Sequence, residues 1–543
     1  MRQSQLQSLL AGLKSLEKFE KMNTSRPNII VIVADQFRHD MFSFAQGPFS
    51  IRTPNIDKLA SRGVVFKNAY SANPTCMPNR ASIATGRWPS VHGTRTNGIT
   101  FDPRSETFMR SLRRSGYENH AIGKLHHQVM GWAWEDYQIE EMRLRNPEVL
   151  MDLRDSIERG QGNWQSFEDA KKHRESFVQM PSDYYGYDHV DLVVGHGDNP
   201  SGHFHHWANS KGVSLKDLAG WENSTERSET VEDIYISEVP AELHPNAFIV
   251  EKFKQRLSNL RKDHDPFMFF ISFPDPHHPF APPKSWYDKW RDQTVPIPAE
   301  FFDHAKNAPA HIEAMYRASG EQNIDSTMTW APTQEQMEDV LKAQFAQIEF
   351  MDNALGELVT ALEASGEAEN TYIVFSGDHG DLMGEHGLML KHFVHYDAVT
   401  RVPLIIAGPG IEPHIDQRLV SSVDIAPTII NLAKAEPYRG IQGRNLLNVA
   451  ENWRTALVVE EDQPFGIEGL PGPVKIRTLI TPDYRFTLYG GTDQAELYDR
   501  SEGNKDLENI YSEANLERSE AYKRLTHELI NLTEEGIAPL AGA

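Results

Sequence analysis

Residues 28–34 (NIIVIVA) form a short, unbroken apolar run rich in β-branched side chains, the pattern of a strand buried on both faces of a parallel sheet. Comparable runs recur at 267–273 (FMFFISF), 372–375 (YIVF) and 402–407 (VPLIIA). Helical signals lie between them. Thr53 and Pro54 supply an N-cap and first-turn proline for a helix that stops near Gly63, Ser105 and Gly116 bracket another, and 334–364 carries a long one. This alternation predicts an α/β fold: a large doubly wound, mostly parallel sheet flanked by helices. In such a sheet ligands bind beyond the carboxyl ends of the strands, so chemistry is expected just after each apolar run.

The pattern changes in three places. In 1–26, Leu6, Leu9, Leu10, Leu13, Leu16 and Phe19 recur at helical spacing, predicting an amphipathic helical extension that packs on its own domain or docks on a second subunit; a homo-oligomer is expected on that ground. Within the α/β domain, 27–437, periodicity fades over 129–245 into sequence rich in Trp, His, Asp, Gly and Pro, which predicts an insertion over the strand ends. From 438 to 543, short runs at 456–459, 475–480 and 485–489 followed by a helix over 516–532 predict a smaller C-terminal α+β subdomain with antiparallel strands.

Charge narrows the partners. With 54 Lys+Arg against 77 Asp+Glu, the formal charge of -23 repels nucleic acid over most of the surface. A pocket for an anion must therefore reverse the sign locally with a few placed cations. No apolar run reaches the ~20 residues of a membrane span, and the N-terminus lacks the apolar core and cleavage site of a secretory signal, so no membrane partner and a cytoplasmic location are expected. The single cysteine, Cys76, excludes an intrachain disulfide and a thiolate-rich zinc site.

The residues after the strands are Asp35-Gln36, Lys124 with His126, His277, and Asp378-His379. Each alone is compatible with a helix cap or a turn. Together they fall where a doubly wound sheet gathers its strand ends into one crevice. Asp35, Gln36, Asp378 and His379 offer mostly oxygen ligands, which select a hard divalent cation, Ca²⁺ or Mn²⁺ ahead of Mg²⁺. Arg80, Lys124 and Lys391 supply local positive charge, and His126 and His277 are candidates for proton transfer.

Cys76 lies in the segment NPTCMPNRASIATGR at 73–87, where Pro78 opens a helix and places the thiol at its N-terminus. This Cys-x-Pro-x-Arg pattern with a downstream Thr-Gly-Arg resembles the signature of the sulfatase family, in the alkaline phosphatase superfamily, and the resemblance extends in order through the other strand-end sites to Lys391 and on to ELYDRSEGNKDLENI at 496–510. It implies that a formylglycine-generating enzyme converts Cys76 to formylglycine (3-oxoalanine), whose hydrate attacks the sulfur of a small-molecule or saccharide sulfate ester. It further implies one divalent metal held by Asp35, Gln36, Asp378, His379 and the modified Cys76, and Arg80 holding the modified side chain. By the same likeness Lys124, His277 and Lys391 bind substrate, His277 and Lys391 protonate the leaving oxygen, and His126 assists release of sulfate.

Asp35-Gln36 and Asp378-His379 resemble the branch that contains phosphonate monoester hydrolases and certain arylsulfatases, while Gly123-Lys124-Leu125-His126 favours sulfate. A phosphonate monoester hydrolase or phosphodiesterase on the same scaffold, and an inactive protein that binds sulfated ligands, are the alternatives. Asn97 borders the anion or serves as a turn residue. His196, His203, His205 and His206 form a solvated loop or line the leaving-group pocket, and Trp132 and Trp134 stack on a ring there or belong to the core.

Overall fold

The structure, a computed structural model, describes residues 26–49, 51–131, 166–212, 214–229, 231, 233–260, 264–321, 328–448, 452–500, 506–512 and 515–536. The expected extension over residues 1–26 and the tryptophans Trp132 and Trp134 lie outside the described residues, apart from Arg26. In chain order the α/β part contains β1 (Asn28–Ala34), β2 (Gly63–Tyr70), β3 (Glu118–Lys124), β4 (His189–Val194), β5 (Ser201–Gly202), β6 (Phe267–Phe273) and β7 (Thr371–Gly377). A two-stranded hairpin, β8 (Leu382–Met383) with β9 (Met389–Leu390), precedes β10 (Leu404–Ala407) and β11 (His414–Ser421).

Nine of these strands form one sheet in the order β11-β2-β10-β7-β1-β6-β3-β4-β5. Its centre, β7 to β4, is parallel throughout. The burial of β1 explains its unbroken apolar run: Ile30, Ile32 and Ala34 enter the core on one face, and Ile29, Val31 and Val33 enter the core on the other. The long helix Gln334–Ser365 lies in the first of these layers, closed at its start by a capping box of Thr333 and Gln336. The helix Cys76–Thr85 contributes Ala81, Ile83 and Ala84 to the second.

Parallel register brings the strand ends level. Ala34 pairs with Phe273 on one side and with Gly377 on the other, and Gly123 pairs with Ser272. Gly123 has φ +106, and a Cβ there would lie 1.9 Å from the Ser272 carbonyl oxygen, so glycine is required for β3 to deliver Lys124 this close to β6. The apolar run at 402–407 becomes β10, antiparallel to both neighbours, because burial on both faces does not encode direction.

Within 129–245, β4 and β5 extend the sheet itself. At the C-terminus β12 (Leu457–Gln463), β13 (Val474–Ile480), β14 (Tyr484–Tyr489) and β15 (Ala495–Asp499) form an antiparallel meander, followed by the helix Asn515–Gly536. This unit shares a core with the α/β part, since Ala72, Trp88 and Val423 pack with Val458, Leu479, Phe486, Leu497 and Leu525. Among the described residues no helix is long and apolar enough to cross a membrane.

Candidate active site

Asp35 follows β1 directly, and its amide donates to the carbonyl oxygens of Phe273 (3.2 Å) and Asp275 (3.3 Å), which tie the ends of β1 and β6 together. Asp378 follows β7; its Oδ1 accepts from the amides of Gln36 (3.0 Å) and His379 (2.9 Å). Cys76 is the first residue of its helix, and its Sγ lies 3.1 Å from His379 Nε2 and 3.6 Å from Asp35 Oδ1. Ligand atoms of Asp35, Cys76, Asp378 and His379 all fall within 4.8 Å of one another, and all four residues are buried. Two carboxylates, an imidazole and a sulfur position held this closely fit a divalent cation. His379 is preset for ligation through Nε2, because its Nδ1 is bonded to the Gly380 carbonyl (2.8 Å) and burial drives its pKa down to about 3, keeping the ring neutral.

Gln36 stands in the left-handed region (φ 59) beside this group. Its side chain is engaged elsewhere: Oε1 accepts from Lys391 Nζ (2.5 Å) and Nε2 donates to Asp381 Oδ2 (2.6 Å). The thiol of Cys76 is pushed up to about 11 by burial, with Asp35 adding to the effect. The helix N-terminus therefore does not deliver a thiolate here: burial and the neighbouring carboxylate outweigh the dipole.

Cations close around the carboxylates. Arg80, one helical turn after Cys76, donates from Nε to Asp378 Oδ2 and from Nη1 to both the Lys124 carbonyl and Ser272 Oγ, each at 2.8 Å. Its Nη2 lies 3.5 Å from Asp35 Oδ2. Lys124 contacts Asp35 and His196 with its ammonium. Burial alone would raise the Asp35 carboxyl, but the charges of Lys124 and Arg80 hold it well below the usual range. Arg80 and Lys124 against Asp35 and Asp378, with Lys391 on the Gln36 side, supply the local positive charge that the acidic composition requires.

His277 Nδ1 is bonded to the His278 carbonyl, so a neutral ring presents Nε2 as acceptor to Lys391 Nζ at 2.7 Å. Burial, then His196 and Lys391, hold the pKa of His277 well below normal. His126, also buried and neutral for the same first reason, has φ 53 and an Nδ1 with no hydrogen-bond partner among the described residues. Asn97 is exposed and stands at the rim, where its Oδ1 accepts from the amide of Met77 (3.2 Å), next to Cys76. The structure thus gathers all the residues singled out after the strand ends into one crevice.

The histidine cluster divides. His196, two residues beyond β4, stacks on His277 at 3.7 Å between centroids and reaches to 3.4 Å from Asp35. His203 is structural: its ring bonds the Leu192 amide and the Val178 carbonyl and stacks on Phe177. Asp381 and His278, both bonded to Gln36, are contributors that strand-end reading alone does not find. The signal for Asp381 is present in the sequence, three residues after Asp378 in SGDHGD, where a loop leaving a strand end returns to the crevice.

The family profile described as "Sulfatase" matches residues 27–435, and that described as "N-sulphoglucosamine sulphohydrolase, C-terminal" matches 384–535. Among related proteins, the "Uncharacterized sulfatase YidJ" of Escherichia coli is 26% identical, over 89% of this chain and 83% of its own length. An N-acetylglucosamine-6-O-sulfatase of Bacteroides thetaiotaomicron is also 26% identical, over 96% of this chain and 88% of its own. The solved phosphonate monoester hydrolase of Agrobacterium radiobacter superposes with a TM-score of 0.69 at 21% identity, covering 94% of this chain and 96% of its own.

Proposed function

The chain belongs to the sulfatase family and is a sulfuric ester hydrolase, and from that premise we propose that it hydrolyses sulfate monoesters, sugar sulfates among them, with Cys76 matured to formylglycine. The sugar-sulfate half of this reading leans on the relative named as an N-acetylglucosamine-6-O-sulfatase. The observation that carries the nucleophile is the position of the Cys76 side chain, between Asp35 and His379 on one side and within a shell of Arg80, Lys124 and Lys391 on the other.

Asp35, Asp378, His379 and the position-76 side chain would hold a divalent metal, with Gln36 joining if its carbonyl exchanges Lys391 for the ion; the metal supplies Lewis acidity and charge neutralisation. Formylglycine supplies a hydrated aldehyde whose hydroxyl is a better nucleophile than a thiol held neutral by burial.

The chain's own residues do the rest. Lys124 and Lys391 bind sulfate oxygens, and because both ammonium groups are buried each contact is worth far more than in water. Two of the three donors of Lys391 go to Gln36 and His277, which leaves the third to meet a substrate oxygen. His277 and Lys391 together carry the proton to the leaving oxygen: the ammonium donates, and His277 Nε2, fixed as an acceptor by its Nδ1 bond, steadies it. Arg80 orients the position-76 side chain from one turn away and balances charge there. His126 and His196 border the sulfate from the β3 and β4 side and take up a proton as sulfate departs.

Peptide mass spectrometry across Cys76, with turnover of an aryl sulfate, an aryl phosphate diester and an aryl phosphonate on the same sample, tests the proposal. Active protein carrying formylglycine and turning over sulfate ester best is the expected result. Activity from wholly unmodified thiol removes the nucleophile assignment, and sulfate ester as the poorest substrate moves the protein to phosphonate or phosphodiester hydrolysis.

A further inference from the structure

At the opposite end of the sheet, where β3 and β4 begin, three metal-ligating side chains meet with no role in the crevice. Glu118 and His120 are two apart on β3 and so share one face, and parallel register places His189 of β4 directly beside His120. The strand rise puts His120, with His189 beside it, about 13 Å and Glu118 about 20 Å from Lys124 at the other end of β3. Glu118 Oε1 lies 2.9 Å from His189 Nε2 and 3.5 Å from His120 Nε2, and the three ligand atoms fall within 4.8 Å of one another.

His120 carries the argument. It is 3% exposed, it stacks between His189 (4.9 Å) and Phe269 of β6 (4.5 Å), and neither of its ring nitrogens has a hydrogen-bond partner among the described residues. A buried imidazole with both nitrogens unbonded is costly, and nothing in the packing against Phe269 needs a polar ring. Arg256, whose charge acts on His120, is engaged by Asp191 at 2.9 Å, so that charge is offset there. Burial keeps His120 neutral, the state in which imidazole binds metals. His189 and Glu118 are 41% and 42% exposed, leaving an open side for water ligands.

We propose that Glu118, His120 and His189 form a second metal site, for a borderline divalent transition ion such as Zn²⁺, with water completing the coordination. Two imidazoles and a carboxylate on neighbouring strands favour zinc, cobalt or nickel over calcium and magnesium. A metal there clasps the start of β4 to β3 and gives His120 the bond it otherwise lacks. The proposal does not depend on the reaction catalysed at Cys76.

The test is a Co²⁺ titration of tag-free, chelator-stripped full-length protein in saturating Ca²⁺, followed by visible absorption and calorimetry. Wild type, Cys76→Ala, His189→Ala and Glu118→Gln are compared, with sulfate-ester turnover showing that the last two are folded. One equivalent of Co²⁺ is expected in wild type and in Cys76→Ala, weakened about 100-fold or more in His189→Ala and about 10-fold in Glu118→Gln. An isotherm in His189→Ala equal to that of wild type overturns the proposal. So does loss of the Co²⁺ signal in Cys76→Ala, which assigns all binding to the crevice.

Discussion

At the level of single residues, the crevice depends on groups that serve several neighbours at once, and Arg80 does so most. Its side chain is fully buried, with 2.8 Å bonds to Asp378, Ser272 and the Lys124 carbonyl. A lysine cannot reproduce that fork. Arg80→Lys should lower kcat for an aryl sulfate by about 100-fold or more. Arg80→Ala, which strands Asp378 and Asp35 without their guanidinium, should lower unfolding free energy by about 3–5 kcal/mol in urea titrations. An alanine variant as stable as wild type would show that the carboxylates are satisfied by other means. His277 makes a different kind of prediction. If the His277–Lys391 pair protonates the leaving oxygen, His277→Ala should lower kcat by about 100-fold for a sugar or alkyl sulfate, whose leaving alkoxide needs the proton, and by much less for 4-nitrophenyl sulfate. Equal losses on both substrates would reassign His277 to binding.

Among elements, the loop after β3 is positioned by a carboxylate from a distant segment. Glu168 accepts from the amides of His127 (2.9 Å) and Gln128 (3.2 Å) and from the Tyr184 hydroxyl (2.7 Å), so it fixes the backbone next to His126. Burial pushes its carboxyl up to about 7. The folded state therefore holds this proton more tightly than the unfolded chain, and the associated stability is complete below the unfolded pKa and lost as pH rises through about 7. Compared with Glu168→Gln, which has no proton to lose, wild type should become less stable by about 1–3 kcal/mol between pH 5 and pH 8 in paired urea titrations; a pH-independent difference would contradict the burial argument. The same element shows what sequence pattern carries. β1 and β6 are legible to the residue because strands buried on both faces have unbroken apolar runs, and from them the parallel register makes Asp35, His277 and Asp378 neighbours. β2 is not legible, since Lys67 and Asn68 interrupt its run, and β15 (AELYD) is short and half polar. β4 hides for a like reason, with Asp191 inside HVDLVV, and with it goes the reason to place His196 in the crevice. The bond from Gln36 to Asp381, 345 residues away, is set by tertiary packing that no local spacing encodes.

For the molecule as a whole, the decisive contrast is between a surface of net charge -23 and a crevice walled by Arg80, Lys124 and Lys391. An anionic substrate approaches against the long-range field and is captured only within a few ångströms of the buried cations. Salt acts unequally on these two effects. Exposed charges are screened over about 8 Å at physiological ionic strength, whereas buried groups are screened much less, because ions do not enter the space between them. Arg80, Lys124 and Lys391 are each no more than 2% exposed, so the capture step keeps its strength while the repulsion fades. Raising ionic strength from about 0.01 M to about 0.15 M should therefore increase kcat/KM for a sulfate ester, the opposite of enzymes that steer anions with a basic face. The increase should be steeper for a disulfated sugar than for a monosulfated one, because each additional negative charge adds to the repulsion being screened, and kcat should change little. Stopped-flow or initial-rate measurements with an inert salt, at fixed free metal concentration, separate the two parameters. A fall in kcat/KM with salt would place an attractive field at the mouth of the crevice, and its source would then have to lie among surface cations near Asn97 and Arg95 at the rim rather than in the buried shell.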